Sequence, residues 1–176
     1  EEAIRVDASA DWCLVWSDEF EGEALDRTRW DVQFGNGFHD PRADVWVPGW
    51  GNGELQSYTD HPDNLSLRDG CLVIRALRQT SPEGHSYTSA RVRTRRGSGL
   101  SLLSQRYGRF ECRARMTAGQ GLWPAFWMLP CDERYGGWAA SGEIDVMEVV
   151  GRNPREVLGS IHFGGVFPAR DHRTVI

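Results

Sequence analysis

The stretch Gly142-Glu143-Ile144-Asp145-Val146-Met147-Glu148-Val149-Val150 decides how this chain is read. Its Ile and Val content predicts a β-strand. In an unbroken strand Glu143, Asp145 and Met147 share one face, while Glu148 points the other way among Ile144, Val146 and Val150. That register would bury an unpaired carboxylate, which is strongly unfavourable. A β-bulge near Val146 or Met147 inserts one residue, returns Glu148 to the face of Glu143 and Asp145, and gathers the apolar side chains on the other. The expectation is a bulged strand with three carboxyl groups on one side.

Outward from this strand the dominant period is two, not 3.6. Tyr107 to Met116 reads as a strand, with Phe110, Cys112, Ala114 and Met116 alternating with Arg109, Glu111, Arg113 and Arg115. Leu72, Val73, Ile74, Ala76 and Leu77 follow the turn signal Arg68-Asp69-Gly70 and are apolar on both faces, which predicts a central strand. Turn signals recur at Gly35-Asn36-Gly37, Gly49 to Gly53, Gly97 to Gly99 and Gly119 to Gly121. Many short strands with Gly-rich turns predict an all-β sandwich, barrel or jelly roll. No repeat, charge block or linker divides residues 1–176, so one domain is expected.

Composition narrows the partners. A chain of 176 residues can bury a core without metals or disulfides. The net charge of −5, from 20 basic and 25 acidic residues, argues against nucleic acid or anionic lipid and favours a neutral ligand. The longest nearly apolar run, Leu122 to Cys131, is too short to cross a bilayer and holds two prolines. Cys13, Cys71, Cys112 and Cys131 lack metal-ligand spacing and leave three disulfide pairings or four free thiols open. Glu1 opens a charged stretch without an apolar run, as in a chain either processed or made without a signal. Asn64-Leu65-Ser66 matches a glycosylation sequon.

The acidic strand has a specific chemical reading. With the bulge, Glu143 and Glu148 behave as an i, i+4 pair about 13 Å apart at Cα. Two glutamates leaning together then leave roughly 5 Å between carboxyl groups, the separation of a retaining glycosidase pair. Asp145 lies between them, where crowding of like charges keeps one carboxyl protonated near neutral pH. Just before this strand, Trp123, Ala125, Trp127 and Leu129 of Gly121-Leu122-Trp123-Pro124-Ala125-Phe126-Trp127-Met128-Leu129-Pro130 alternate onto one face, with Trp138 following. Indoles flanking a small Ala make a floor on which sugar rings can stack. A neutral polysaccharide fits that floor.

These residues resemble family 16 of the glycoside hydrolases, in its laminarinase branch. The resemblance rests on Glu143-Ile144-Asp145-Val146-Met147-Glu148, on the Gly121 to Met128 segment, and on Trp50-Gly51-Asn52-Gly53-Glu54-Leu55-Gln56-Ser57-Tyr58-Thr59. Trp16-Ser17-Asp18-Glu19-Phe20, Leu25-Asp26, Tyr87-Thr88-Ser89-Ala90-Arg91, Tyr107-Gly108-Arg109-Phe110-Glu111 and Ile161-His162-Phe163-Gly164 extend it in the family's order. It implies a β-jelly-roll sandwich of two antiparallel sheets with a concave glycan cleft, and endo-hydrolysis of β-1,3-linked glucan with retention. By the resemblance Glu143 is the nucleophile, Asp145 its electrostatic partner and Glu148 the general acid/base. Trp123, Trp127 and Trp138 would hold sugars, with Asn52, Arg91 and His162 as polar contacts.

The same resemblance implies that the fold's C-terminal part lies beyond Ile176, to be completed by a missing segment or a second chain. It implies no cofactor for the chemistry; a structural calcium near Glu19 would use a C-terminal carboxylate as well. A polymeric substrate implies a secreted, extracellular enzyme. Two other readings stay open: a non-catalytic β-glucan-binding module on this fold, and the same chemistry on mixed-linkage glucan or a galactan.

Overall fold

The computed structural model describes residues 12–165 and 173–175. In chain order the strands are β1 (Asp31–Val32), β2 (Gly37–Asp40), β3 (Val45–Pro48), β4 (Gln56–Tyr58), β5 (Leu65–Arg68) and β6 (Cys71–Ile74). They continue as β7 (Tyr87–Ser89), β8 (Val92–Arg93), β9 (Ala125–Met128), β10 (Glu143–Glu148), β11 (Leu158–Phe163) and β12 (Arg173–Val175). The only helical element among the described residues is the 3₁₀ turn Gly49–Gly51, so the all-β expectation holds.

The largest sheet is four-stranded and antiparallel, in the order β12-β11-β10-β9. The acidic stretch forms its β10, flanked on both sides. Its register is regular at Ile144↔Ile161 and Asp145↔Ser160, then slips so that Glu148 faces Leu158. Against β9 the same slip separates Asp145↔Trp127 from Met147↔Phe126. The extra residue lies between Asp145 and Glu148, so the expected bulge is present.

The two faces of this sheet differ in an unusual way. Asp145 and Ser160 are buried, whereas Ile144 (46% exposed), Val146, Ile161 and Phe163 on the other side stay in contact with water.

The N-terminal portion is built from two-stranded ladders: β1 with β8, β2 with β3, β4 with β7 and β5 with β6. The β4–β7 pair is parallel and aligns Tyr58 with Ser89. A small core of Val32, Leu65 and Ala90, with Leu25, Leu72 and Val92 against it, holds these ladders together. Beside it lies a buried polar knot. The Asn64 amide donates to the Arg75 carbonyl and the Thr88 hydroxyl, each at 3.0 Å, and its oxygen accepts from the Thr59 hydroxyl at 2.8 Å.

Two sequence expectations about strands are corrected. The Tyr107–Met116 segment forms no strand, because no ladder neighbour meets its edge among the described residues. Its alternation survives: Cys112, Ala114 and Met116 line one cavity with Phe126, Val146 and Val149, while Arg109 and Glu111 pair at 2.7 Å in solvent. The Leu72–Leu77 run is not central; β6 ends at Ile74, pairs with β5 alone and leaves Ile74 exposed. Asn64 cannot serve as a glycosylation site in the folded chain, since it has no exposed surface and its amide is fully engaged. The four cysteines are exposed free thiols.

Candidate active site

The polar face of β10 carries the candidate residues. Asp145 stands opposite Ser160 on β11 and Trp127 on β9, so these three side chains share a face. The Ser160 hydroxyl donates to Glu148 Oε2 at 3.3 Å, which shows that the bulge has brought Glu148 to the side of Asp145. His162 lies two residues beyond Ser160 on the same face, and its Nε2–H donates to Asp145 Oδ2 at 3.0 Å. Glu143, the cross-strand partner of His162, completes the row.

Two indoles serve the outer carboxylates. Trp123 Nε1 donates to Glu148 Oε1 at 2.9 Å, and Trp138 Nε1 donates to Glu143 Oε2. Trp123 is delivered by a turn clamped to the end of β10: the Gly119 and Gly151 amides bond to the Gly151 and Leu122 carbonyls, and Val149 N–H donates to the Pro124 carbonyl. Gly151 is required here, because a Cβ would lie 2.2 Å from the Gly119 carbonyl oxygen. The Trp138 ring packs beside His162, with centroids 5.7 Å apart.

Electrostatics distinguish Glu143. Burial, reinforced by the neighbouring Asp145 charge, pushes its carboxyl up to about 7, against the lowering effect of the Trp138 N–H and His162. The row therefore holds a proton at Glu143 near neutral pH. Crowding predicted one retained proton, and burial adds to it on the residue read as the nucleophile.

Residues 53–175 match the model of Glycosyl hydrolases family 16. The chain belongs to that family. This family 16 chain is 46% identical over 162 residues to a beta-glucanase of Rhodothermus marinus, covering 90% of this chain and 51% of the relative. It is 45% identical over 161 residues to glucan endo-1,3-beta-glucosidase A1 of Niallia circulans, covering 88% and 22%. The catalytic domain of an endo-1,3-beta-glucanase (laminarinase) from Thermotoga petrophila RKU-1 superposes with a TM-score of 0.76 at 40% identity, covering 94% of this chain and 62% of that one. Such neighbours are jelly rolls, and the fold of this chain is theirs over the span it shares. The chain thus spans from about a fifth to about three fifths of the length of these relatives.

The two remaining expected contacts of this family 16 chain, Arg91 and Asn52, come from its N-terminal portion. Arg91 is wedged between two rings, with its guanidinium carbon 4.4 Å from the Trp50 centroid and 4.7 Å from that of Trp127. Asn52 is exposed and donates to Glu54 Oε1 at 3.2 Å. Among the described residues no three His, Cys, Asp or Glu side chains gather into a metal site, around Glu19 or elsewhere. Sequence reasoning missed Ser160, Trp50, Glu54 and Tyr58 as members of this surface. Period-two spacing from His162 could have found Ser160; nothing local marks the other three as neighbours of Arg91.

Proposed function

We propose that this chain carries the catalytic face of an endo-acting, retaining β-1,3-glucanase. The observation that carries the reading is the bulge in β10, which sets Glu148 beside Asp145 on a face where each outer glutamate accepts an indole N–H. In the double displacement, Glu143 attacks the anomeric carbon while Glu148 protonates the departing glycosidic oxygen, forming a glycosyl-enzyme ester. Glu148 then takes a proton from water, which attacks the anomeric carbon and releases Glu143. Asp145, oriented by His162, stabilises the charge that shifts along the row.

Because Glu143 retains a proton to about pH 7 in the free protein, it must lose that proton before it can attack. Trp123, Trp127 and Trp138 supply stacking surface for a neutral glucan, and the chemistry calls for no cofactor. Laminarin-type polymers do not cross a cell envelope, so this reading has the enzyme acting outside the cell. The names of the Niallia circulans and Thermotoga petrophila relatives support the β-1,3-glucan assignment.

Glu143→Gln and Glu148→Gln in the full-length protein test it. Each should reduce release of reducing ends from laminarin at least about a thousandfold, as loss of a nucleophile or acid/base does. Near wild-type turnover in either variant refutes the role of that residue. Laminarin binding without any hydrolysis by the wild type would favour a glucan-binding module, and preference for lichenan or agarose would change the polymer.

A further inference from the structure

The β2–β3 hairpin is anchored at its root and makes a second contact at its tip. At the root the Asn36 side-chain amide donates to the Glu54 and Gln56 carbonyls at 2.8 and 2.6 Å. Phe38 stacks on Trp50, the outer ring of the pile formed with Arg91 and Trp127. Past Asp40 the chain turns through Pro41, Arg42, Ala43 and Asp44, and Val45 pairs back with Asp40. Within this turn Asp40 Oδ1 accepts the Arg42 backbone N–H at 3.0 Å and its Nε–H at 3.3 Å, which fixes the direction of the arginine side chain.

That side chain reaches the loop between β9 and β10. Arg42 Nη1 pairs with Glu133 Oε2 at 2.8 Å. The guanidinium also covers Gly137, which is buried beneath it; a Cβ at this position would collide with Nη1. The loop is knitted to itself: Ser141 Oγ accepts the Tyr135 N–H at 3.0 Å and donates to the Gly136 carbonyl at 2.6 Å, and the Ala140 N–H donates to the Gly137 carbonyl at 2.7 Å. Trp138, next to the covered glycine, belongs to this knot and donates to Glu143. An exposed ion pair contributes little to stability. Where it joins a hairpin to the loop of a site, it acts on geometry.

We infer that Arg42 is a positioning residue: by pairing with Glu133 and resting on Gly137 it latches the Trp138 loop to the β2–β3 hairpin and holds the indole against Glu143. The kinetic consequence rests on the glucan-hydrolase reading above. Glu143 is faced by Asp145 on its own strand, by His162 on β11 and by Trp138 from this loop. The indole N–H favours the ionised carboxylate, so a loosened loop raises the pH at which Glu143 ionises. Arg42 acts through Trp138.

The test compares Arg42→Ala, Glu133→Ala, their double variant and Gly137→Ala with wild type in the full-length protein, by laminarin kinetics from pH 5 to 9. The first two alter half-exposed side chains, and Gly137 has no positive φ, so an alanine there displaces the guanidinium while both charges stay. Each variant should lower kcat/KM about fivefold at pH 6 and under about twofold at pH 9, because the acid limb moves to higher pH. The double variant should lose no more than either single one. A direct effect of charge on Glu143 would instead move the limb in opposite directions in Arg42→Ala and Glu133→Ala and leave it in place in Gly137→Ala, which would overturn the inference. A loss of equal size at every pH would overturn it as well. Independently of activity, acrylamide quenching of Trp138, taken by difference with Trp138→Phe in each background, should rise about twofold in Arg42→Ala and Gly137→Ala. Unchanged quenching overturns the latch. A wild type inert on laminarin overturns the glucanase reading instead, and the quenching still judges Arg42.

Discussion

His162 Nε2 lies 3.0 Å from Asp145 Oδ2, and Asp145 is only 5% exposed. The bond crosses from β11 to β10 and gives a buried carboxylate a donor it cannot obtain from bulk water. Because Asp145 sits between Glu143 and Glu148 in the chain, whatever orients Asp145 also orients the middle of the candidate catalytic row. The Trp138 ring beside His162 narrows the room in which the imidazole can turn.

Replacing His162 should therefore separate a donor effect from a volume effect. His162→Ala is expected to lose about 1–3 kcal/mol of stability, because a buried acceptor loses its partner. His162→Gln keeps a donor and should recover most of that loss. Urea melts of both variants at pH 7 check this, and equal destabilisation by the two would show that the bond to Asp145 contributes little.

The raised carboxyl of Glu143 fixes the direction of a pH effect on activity. With Glu143 as nucleophile, kcat/KM should climb through an acid limb near pH 7 in the free enzyme. The Trp138 N–H favours the ionised carboxylate, so Trp138→Phe should move this limb to higher pH. Laminarin kinetics from pH 4 to 9 measure both. A limb that stays in place or moves to lower pH in Trp138→Phe counts against Glu143 as the titrating group.

Much of the site was legible because the bulge could be argued from one misplaced charge. A regular strand would have driven Glu148 into the apolar side with Ile144 and Val146, and the register slip after Asp145 relieves that conflict. Local alternation was equally reliable in choosing faces: Trp127 does share a side with Asp145, and Cys112, Ala114 and Met116 do line one cavity. Pairing was not legible. Whether Tyr107–Met116 becomes a strand depends on a hydrogen-bonded neighbour distant in sequence, and alternation carries no information about that neighbour. The parallel β4–β7 pair and the Arg91 pile are of the same kind, since each joins segments through tertiary contacts that no local pattern encodes.

Asn64 offers a test of the fold remote from the chemistry. Its side chain ties Thr59, Arg75 and Thr88 together with no exposed surface. Asn64→Ala should lose about 2–3 kcal/mol, because the carbonyl and two hydroxyls are left without their shared partner. Thr88→Ala removes one bond only and should lose less. Denaturant melts compare the two, and a neutral Asn64→Ala would mean that this polar knot contributes nothing net.

Stability should also depend on pH through Glu143, with a definite sign. Its folded carboxyl titrates at about 7, above the ordinary 4.5 expected in the unfolded chain. Between these values the folded state keeps a proton that the unfolded state has released, so the unfolding free energy falls as pH rises through this window and levels off above it. The contribution is fully present below about pH 4.5 and lost above about pH 7. Glu143→Gln abolishes this titration while keeping an acceptor for the Trp138 N–H, so its advantage over wild type should be greater at pH 8 than at pH 4. Partial solvent contact screens the group, and the expected change in that advantage is about 1–2 kcal/mol. Denaturant melts of the two proteins across pH 4 to 8 measure it, and curves that run parallel over the whole range would show that Glu143 does not carry the proton.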